Sequence, residues 1–217
     1  MTDPSPATTP GLRVRIFVDF WNLSINVRNW RNDLSLDYSK LGPWLTARAG
    51  EVAAQTGQSI APVVYEGMHV YLSYDPMKDA KLRGWALSVV DRFPGVQVVL
   101  MERKPKHAPN CPACRKSIDT CPHCTVPMRG TLEKGIDTAM VTDMIKLAWE
   151  SSYDIAVIVS GDRDFIPAVQ FLDAKGRKVI NATVPPLGSD LARNCWGSFD
   201  LRTGLEACTM PKPPPRA

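Results

Sequence analysis

The chain has 217 residues, 44% hydrophobic and 22% charged, with a formal net charge of +4. That is enough apolar chain for one good core with a small appendage, and no apolar run approaches the roughly 20 residues a membrane-spanning helix needs. A soluble, cytoplasmic protein is expected.

Residues 1–11, rich in Pro, Thr and Ser, lack a signal peptide's basic and apolar regions and read as a disordered leader. Val14–Val18 (VRIFV) is a β-branched run predicted as a strand, closed by Asp19, with Asn22 soon after and no cap in view for Asp19 to make. Tyr38, Leu41, Trp44, Leu45 and an alanine-rich stretch over 48–54 recur at helical spacing. Gly42–Pro43 is expected to disturb or restart that helix, and the 57–62 region to end it. Met68–Ser73 reads as a second strand, Met77–Phe93 as a helix and Val96–Met101 as a third strand. A basic insertion over 103–130 follows. Ile136, Met140, Met144 and Leu147 then share one face of a helix reaching about Glu150. Ile155–Val159 (IAVIV) is apolar on both faces, as in a central strand of a covered parallel sheet. Phe165, Ile166, Val169 and Leu172 form the next helical stripe, Gly176 stops it, and Lys178–Val184 is one more strand. No internal repeat is apparent, and residues 206–217 read as a flexible tail. Alternating strands and helices predict a three-layer α/β fold over 12–205, a parallel sheet flanked by helices and interrupted by the insertion.

Chemistry concentrates at strand ends. In an open parallel sheet the C-terminal strand edges face a shared crevice. Asp19 ends the first strand, Asp162 follows the central one, and Asp137 and Asp164 sit in first turns of helices. Four carboxylates in one crevice repel unless a cation lies between them, and all-oxygen donors suit Mg2+. Each also has a structural reading: Asp162 as an N-cap, Asp164 and Asp137 as dipole-favoured first-turn residues. Asp143, six residues after Asp137, falls on another helical face and is assigned a structural role.

These residues resemble a known family. VDFWN (Val18–Asn22), KGIDTAMVTDMIKLA (Lys134–Ala148) and VSGDRDFIPAVQFLDAKGRKV (Val159–Val179) are similar to the signature segments of NYN domains, the LabA-like branch of the PIN-like nucleases, over about Arg13 to Phe199. The resemblance implies a parallel α/β sheet and a Mg2+- or Mn2+-dependent ribonuclease site on Asp19, Asp137, Asp162 and Asp164, with Asn22 beside the first. Asp19, Asp162 and Asp164 would be metal ligands and Asp137 a ligand or the orienter of the attacking water. Asn22 and Lys134 are candidates for substrate binding, Lys134 for phosphate charge; Arg163 is read as a solvent-facing cation.

CPACRKSIDTCPHC (Cys111–Cys124) pairs two CxxC units across a short spacer. Cys111, Cys114, Cys121 and Cys124 are the ligand types and spacing of a structural Zn2+ site, whereas two disulfides fit a cytoplasmic chain poorly. His107 and His123 are bystanders beside four thiolates, and Cys195 and Cys208 are ordinary thiols. From Met101 to Lys134, seven basic residues stand against three acidic ones, a surplus equal to the net charge of the whole chain. The insertion, with Arg115 and Lys116, is therefore a candidate phosphate grip for RNA, against the plainer reading of a stapled loop. Trp21 and Trp30 are either base-stacking or core residues.

Two functions of different class remain: a metal-dependent endoribonuclease, and a non-catalytic RNA-binding or protein-interaction module of the same fold. A haloacid-dehalogenase-like phosphatase would need an Asp two residues after Asp19, where this chain has Trp21.

Overall fold

The computed structural model describes residues 11–57 and 62–210. The leader up to residue 10 and the last seven residues of the expected tail lie outside them.

The apolar alternation in the strands explains the layers. On β1 (Leu12–Asp19), Val14, Ile16 and Val18 enter one core while Phe17 enters the other; on β6 (Ile155–Val159), Ile155, Val157 and Val159 face the first core, Ala156 and Ile158 the second. A strand buried on both faces needs helices above and below. The first layer is α1 (Phe20–Trp30), α2 (Tyr38–Gln55) and α3 (Ala80–Ser88); the second is α4 (Ile136–Trp149), α5 (Ile166–Ala174) and α6 (Ser189–Asn194). With β2 (Val63–Tyr74), β3 (Val96–Glu102), β7 (Lys178–Thr183) and β8 (Gly197–Asp200), the main sheet has six strands in the order β3-β2-β1-β6-β7-β8, all parallel. The order reverses between β1 and β6, so the crevice outside their C-terminal ends is the switch point where such sheets bind ligands.

Several expectations need correcting. The chain turns into α1 directly after β1, a helix the strand-to-helix reading passed over. Pro43 sits inside α2 without breaking it. The helix expected over Met77–Phe93 is shorter: Ala80–Ser88, then a 3-10 turn at Val90–Arg92. Residues 206–210 pack instead of trailing loose: Cys208 is buried, its carbonyl accepts from the Asp37 N–H at 2.7 Å, and the Met210 N–H reaches the Ser35 carbonyl at 2.8 Å.

The insertion rises on a two-stranded antiparallel stem, β4 (Lys104–Lys106) and β5 (Gly130–Leu132). It does contain a repeat, ten residues long. The Cys111 N–H reaches the Lys116 carbonyl and the Arg115 N–H reaches Cys111; ten residues on, Cys121 reaches Val126 and Thr125 reaches Cys121. Arg115 and Thr125 both adopt the left-handed backbone, at φ 59° and 58°. The two turns share backbone geometry while only Cys-Pro-x-Cys is common in sequence, which hides the repeat from a reading of side chains.

Candidate active site

Asp19 caps α1. Its Oδ1 accepts the Asn22 N–H at 3.1 Å, a role left unseen when the helix was not anticipated. Its Oδ2 accepts from Ser160 Oγ, also at 3.1 Å. Ser160 in turn accepts the Asp162 N–H at 3.1 Å, and Asp162 Oδ1 caps the 3-10 turn Arg163–Phe165 by accepting the Asp164 N–H at 2.9 Å. Ser160, a residue not singled out from sequence, therefore joins the ends of the two central strands. Beneath it, fully buried Asn181 donates Nδ2 to the Ser160 carbonyl at 2.8 Å. Asn22 clasps the same turn: its Oδ1 accepts from Gly161 N at 2.9 Å and from Asn26 at 2.8 Å.

The second turn partner is Gly188, at φ +72°, whose Cβ position would lie 2.7 Å from Gly161 Cα and 2.8 Å from Thr183 Oγ1. Gly188→Ala therefore meets backbone as well as a left-handed conformation that alone costs about 1–2 kcal/mol. We expect a lowered urea midpoint and, because Gly161 leads into Asp162, a loss of activity greater than the stability loss accounts for.

Asp137 is the second residue of α4, whose start is set by Gly135 at φ 87°. It shares the crevice: its carboxyl is raised by desolvation, then by the charges of Asp162, Glu133 and Asp164. The Asp19 carboxyl is pushed up to about 6, chiefly by burial and further by Asp137 and Glu133, against the two hydrogen bonds that lower it. Glu133 is thus a fifth acid at the site. It accepts from Ser73 Oγ and from Arg103 Nη2, the latter at 3.2 Å, and Arg103 lies over the Trp21 ring at 4.9 Å. Trp21 donates Nε1 to the Ser73 carbonyl at 2.7 Å and, like Trp30, packs against the first core. Asp143 accepts from Tyr71 Oη at 2.9 Å, in keeping with its structural assignment.

Lys134, Arg163 and Asp164 are exposed. Of the insertion's cations, Arg103 pairs with Glu133 and Arg129 with Asp119, while Lys104, Lys106, Arg115 and Lys116 stand exposed. The Cys111 thiol is lowered by the N–H groups of Cys114 and Ala113 and by the Cys114 side chain; Cys121 is lowered likewise by Cys124 and His123. Burial pushes Cys195 up to about 12, as befits an unreactive thiol.

Among the described residues no three His, Cys, Asp or Glu side chains draw together into a ready cage for an ion. The donor sets still fit distinct ions. The carboxylates are hard oxygen donors suited to Mg2+ or Mn2+, which characteristically take one or two carboxylates and keep several waters. The cysteines form two thiol pairs on turns whose N–H groups favour thiolate, the chemistry of zinc.

A family model described as NYN domain matches residues 13–199. A protein of unknown function from Vibrio parahaemolyticus has a similar structure, with a TM-score of 0.52 at 18% identity over 88% of this chain and 93% of that one. That likeness concerns the fold. No curated protein matches the chain.

Proposed function

The chain belongs to the NYN domain family, and from its PIN-like nuclease fold we propose that it is a Mg2+- or Mn2+-dependent ribonuclease that hydrolyses phosphodiester bonds in the crevice between β1 and β6. The observation that carries this reading is the hydrogen-bonded chain from Asp19 through Ser160 to Asp162, which ties two carboxylate-bearing residues together at the switch point. The bound cation would supply Lewis acidity to the scissile phosphate and acidify a water. Asp19, Asp162 and Asp164 are assigned to hold it. Asp137 is a ligand or orients the attacking water, and Glu133 adds negative charge beside it. Ser160 and Asn22 keep the two strand ends in register. Lys134 is assigned to the phosphate.

The insertion is read as a zinc-pinned grip, with Lys104, Lys106, Arg115 and Lys116 offering phosphate contacts without base choice. Four reduced thiolates suit the cytoplasm. The three matching segments support placement in the LabA-like branch. No helix among the described residues is long and apolar enough to cross a membrane.

The test is cleavage of labelled single-stranded and hairpin RNAs with Mg2+, Mn2+ or chelator, comparing wild type with Asp164→Asn. Asp164 gives its N–H to the turn and exposes its side chain, so the variant should fold normally. We expect cation-dependent cutting that falls more than about 100-fold, beyond the 10–100-fold typical of an outer-shell partner. A folded variant that cuts as fast as wild type defeats the assignment. The double duty of Asp19 and Asp162 as caps favours the second reading, a non-catalytic RNA-binding module; RNA binding without cutting under any cation would select it.

A further inference from the structure

The outer face of α4, remote from the crevice, carries the most exposed tryptophan of the described residues. Trp149 is 81% exposed at the C-terminal end of α4, and Phe171 on α5 is 41% exposed. Two clefts flank Trp149. One, about 380 Å3, is lined by Val141, Thr142, Ile145, Lys146, Trp149 and Glu150. The other, about 320 Å3, includes Ile145, Phe171 and Lys175. Each exceeds the roughly 150 Å3 that accommodates a benzene ring. Trp149 and Phe171 thus leave apolar surface uncovered beside both clefts.

The charges on this face indicate the occupant. Lys146 and Glu150 sit one turn apart on the same cleft wall, and neither is ion-paired within the described residues. A two-fold axis level with residue 148 would run two α4 helices antiparallel. Lys146 of each copy would then face Glu150 of the other, and the two Trp149 side chains would meet near the axis, each within reach of Ile145 of its mate. Opposite charges flanking an apolar centre in this way are self-complementary, which is what an isologous contact requires. We propose that this face pairs with a second copy of the chain to form a homodimer through α4 and α5. The crevices lie at the far ends of the paired helices. At 1.5 Å per residue the two Asp137 positions stand roughly 30 Å apart, so both sites remain open.

Sedimentation velocity across a concentration series tests the pairing, independently of any cleavage. Wild type is expected to dimerise. Trp149→Arg should be monomeric with an unchanged circular dichroism spectrum. Lys146→Glu and Glu150→Lys should each weaken the dimer at least tenfold by placing like charges opposite one another, and the double exchange should restore it. The rescue guards against a variant that is merely misfolded. A wild type that stays monomeric throughout overturns the proposal and leaves the face to an unlike partner. A dimer indifferent to Trp149→Arg, or single charge variants that the double exchange fails to rescue, likewise overturns it.

Discussion

Asp19→Asn is expected to keep the sheet and α1 intact, to lower RNA cleavage more than about 100-fold, and to flatten the pH dependence of stability of the metal-free protein. An asparagine at this position still accepts the Asn22 N–H, so the cap survives. What it loses is the charge and the oxygen that accepts from Ser160 Oγ. Burial pushes the Asp19 carboxyl up to about 6 in the folded chain, against 3.8 for an unperturbed aspartate. Below 3.8 the folded and unfolded states are both protonated and the full stability is present. Between 3.8 and about 6 the folded state keeps a proton that the unfolded state has shed. Stability therefore falls as pH rises through that window, at up to about 1.4 kcal/mol per pH unit, for a total on the order of 3 kcal/mol. Above it the metal-free wild type bears the whole deficit and Asp19→Asn does not. A divalent cation should reverse this by favouring the carboxylate, so Mg2+ or Mn2+ should raise the melting temperature of wild type more than that of the variant. Urea midpoints on either side of the window, with and without cation, together with the cleavage rate, check each part. Equal slopes with pH in the two proteins would remove Asp19 from the acidic cluster.

Cys121→Ser is expected to release zinc and unfold the insertion while the main sheet melts at its wild-type temperature. No residue between 103 and 130 is fully buried, so the hairpin has no hydrophobic core of its own. Its backbone pairing consists of a three-residue stem, two tight turns and the bridges Asn110–Ser117 and Thr120–Pro127. Structural zinc contributes about 10–16 kcal/mol in small thiolate modules, far more than these few hydrogen bonds. Wild type should carry one zinc per chain by elemental analysis, because each turn offers only a thiol pair. Limited proteolysis should cut Cys121→Ser, or chelated wild type, within the insertion and leave two protected fragments. RNA affinity should fall together with its salt dependence, since the exposed lysines and arginines lose their fixed spacing. Unchanged protease resistance after complete zinc removal would defeat this account.

The strands of the main sheet were legible where burial on both faces writes a continuous apolar run. Val14–Val18 and Ile155–Val159 fall within β1 and β6, whereas Val96–Met101, within the half-buried edge strand β3, was legible from its apolar run after the Pro94–Gly95 turn. α4 was legible through Ile136, Met140 and Met144, all buried. α1 carries a similar signal in Phe20, Leu23 and Val27 but begins without a break after β1, so the strand's polar end hid the helix start. β8 is four residues long and α6 six, too short for a period to show. The acids Asp19, Asp137, Asp162 and Asp164 stood out because charge at a strand end or first turn is conspicuous. Glu133, inside a charged segment, did not. Ser160 and Asn181 were hidden for another reason: a hydroxyl or amide acquires its role only from the groups packed against it.

The order of residues alone determined strands β1, β2, β3, β6 and β7, helices α2 to α5, the thiol spacing of the insertion and the positions of the four aspartates, because periodicity, turn chemistry and motif spacing are local. Only the tertiary structure decided that β1 and β6 are neighbours, that Ser160 bridges their ends, that Glu133 joins the acids and that Trp149 is left uncovered. Those facts depend on crossovers and packing between segments more than a hundred residues apart, where a side chain's electrostatic and hydrogen-bonding partners are set by the fold and not by its neighbours in the chain.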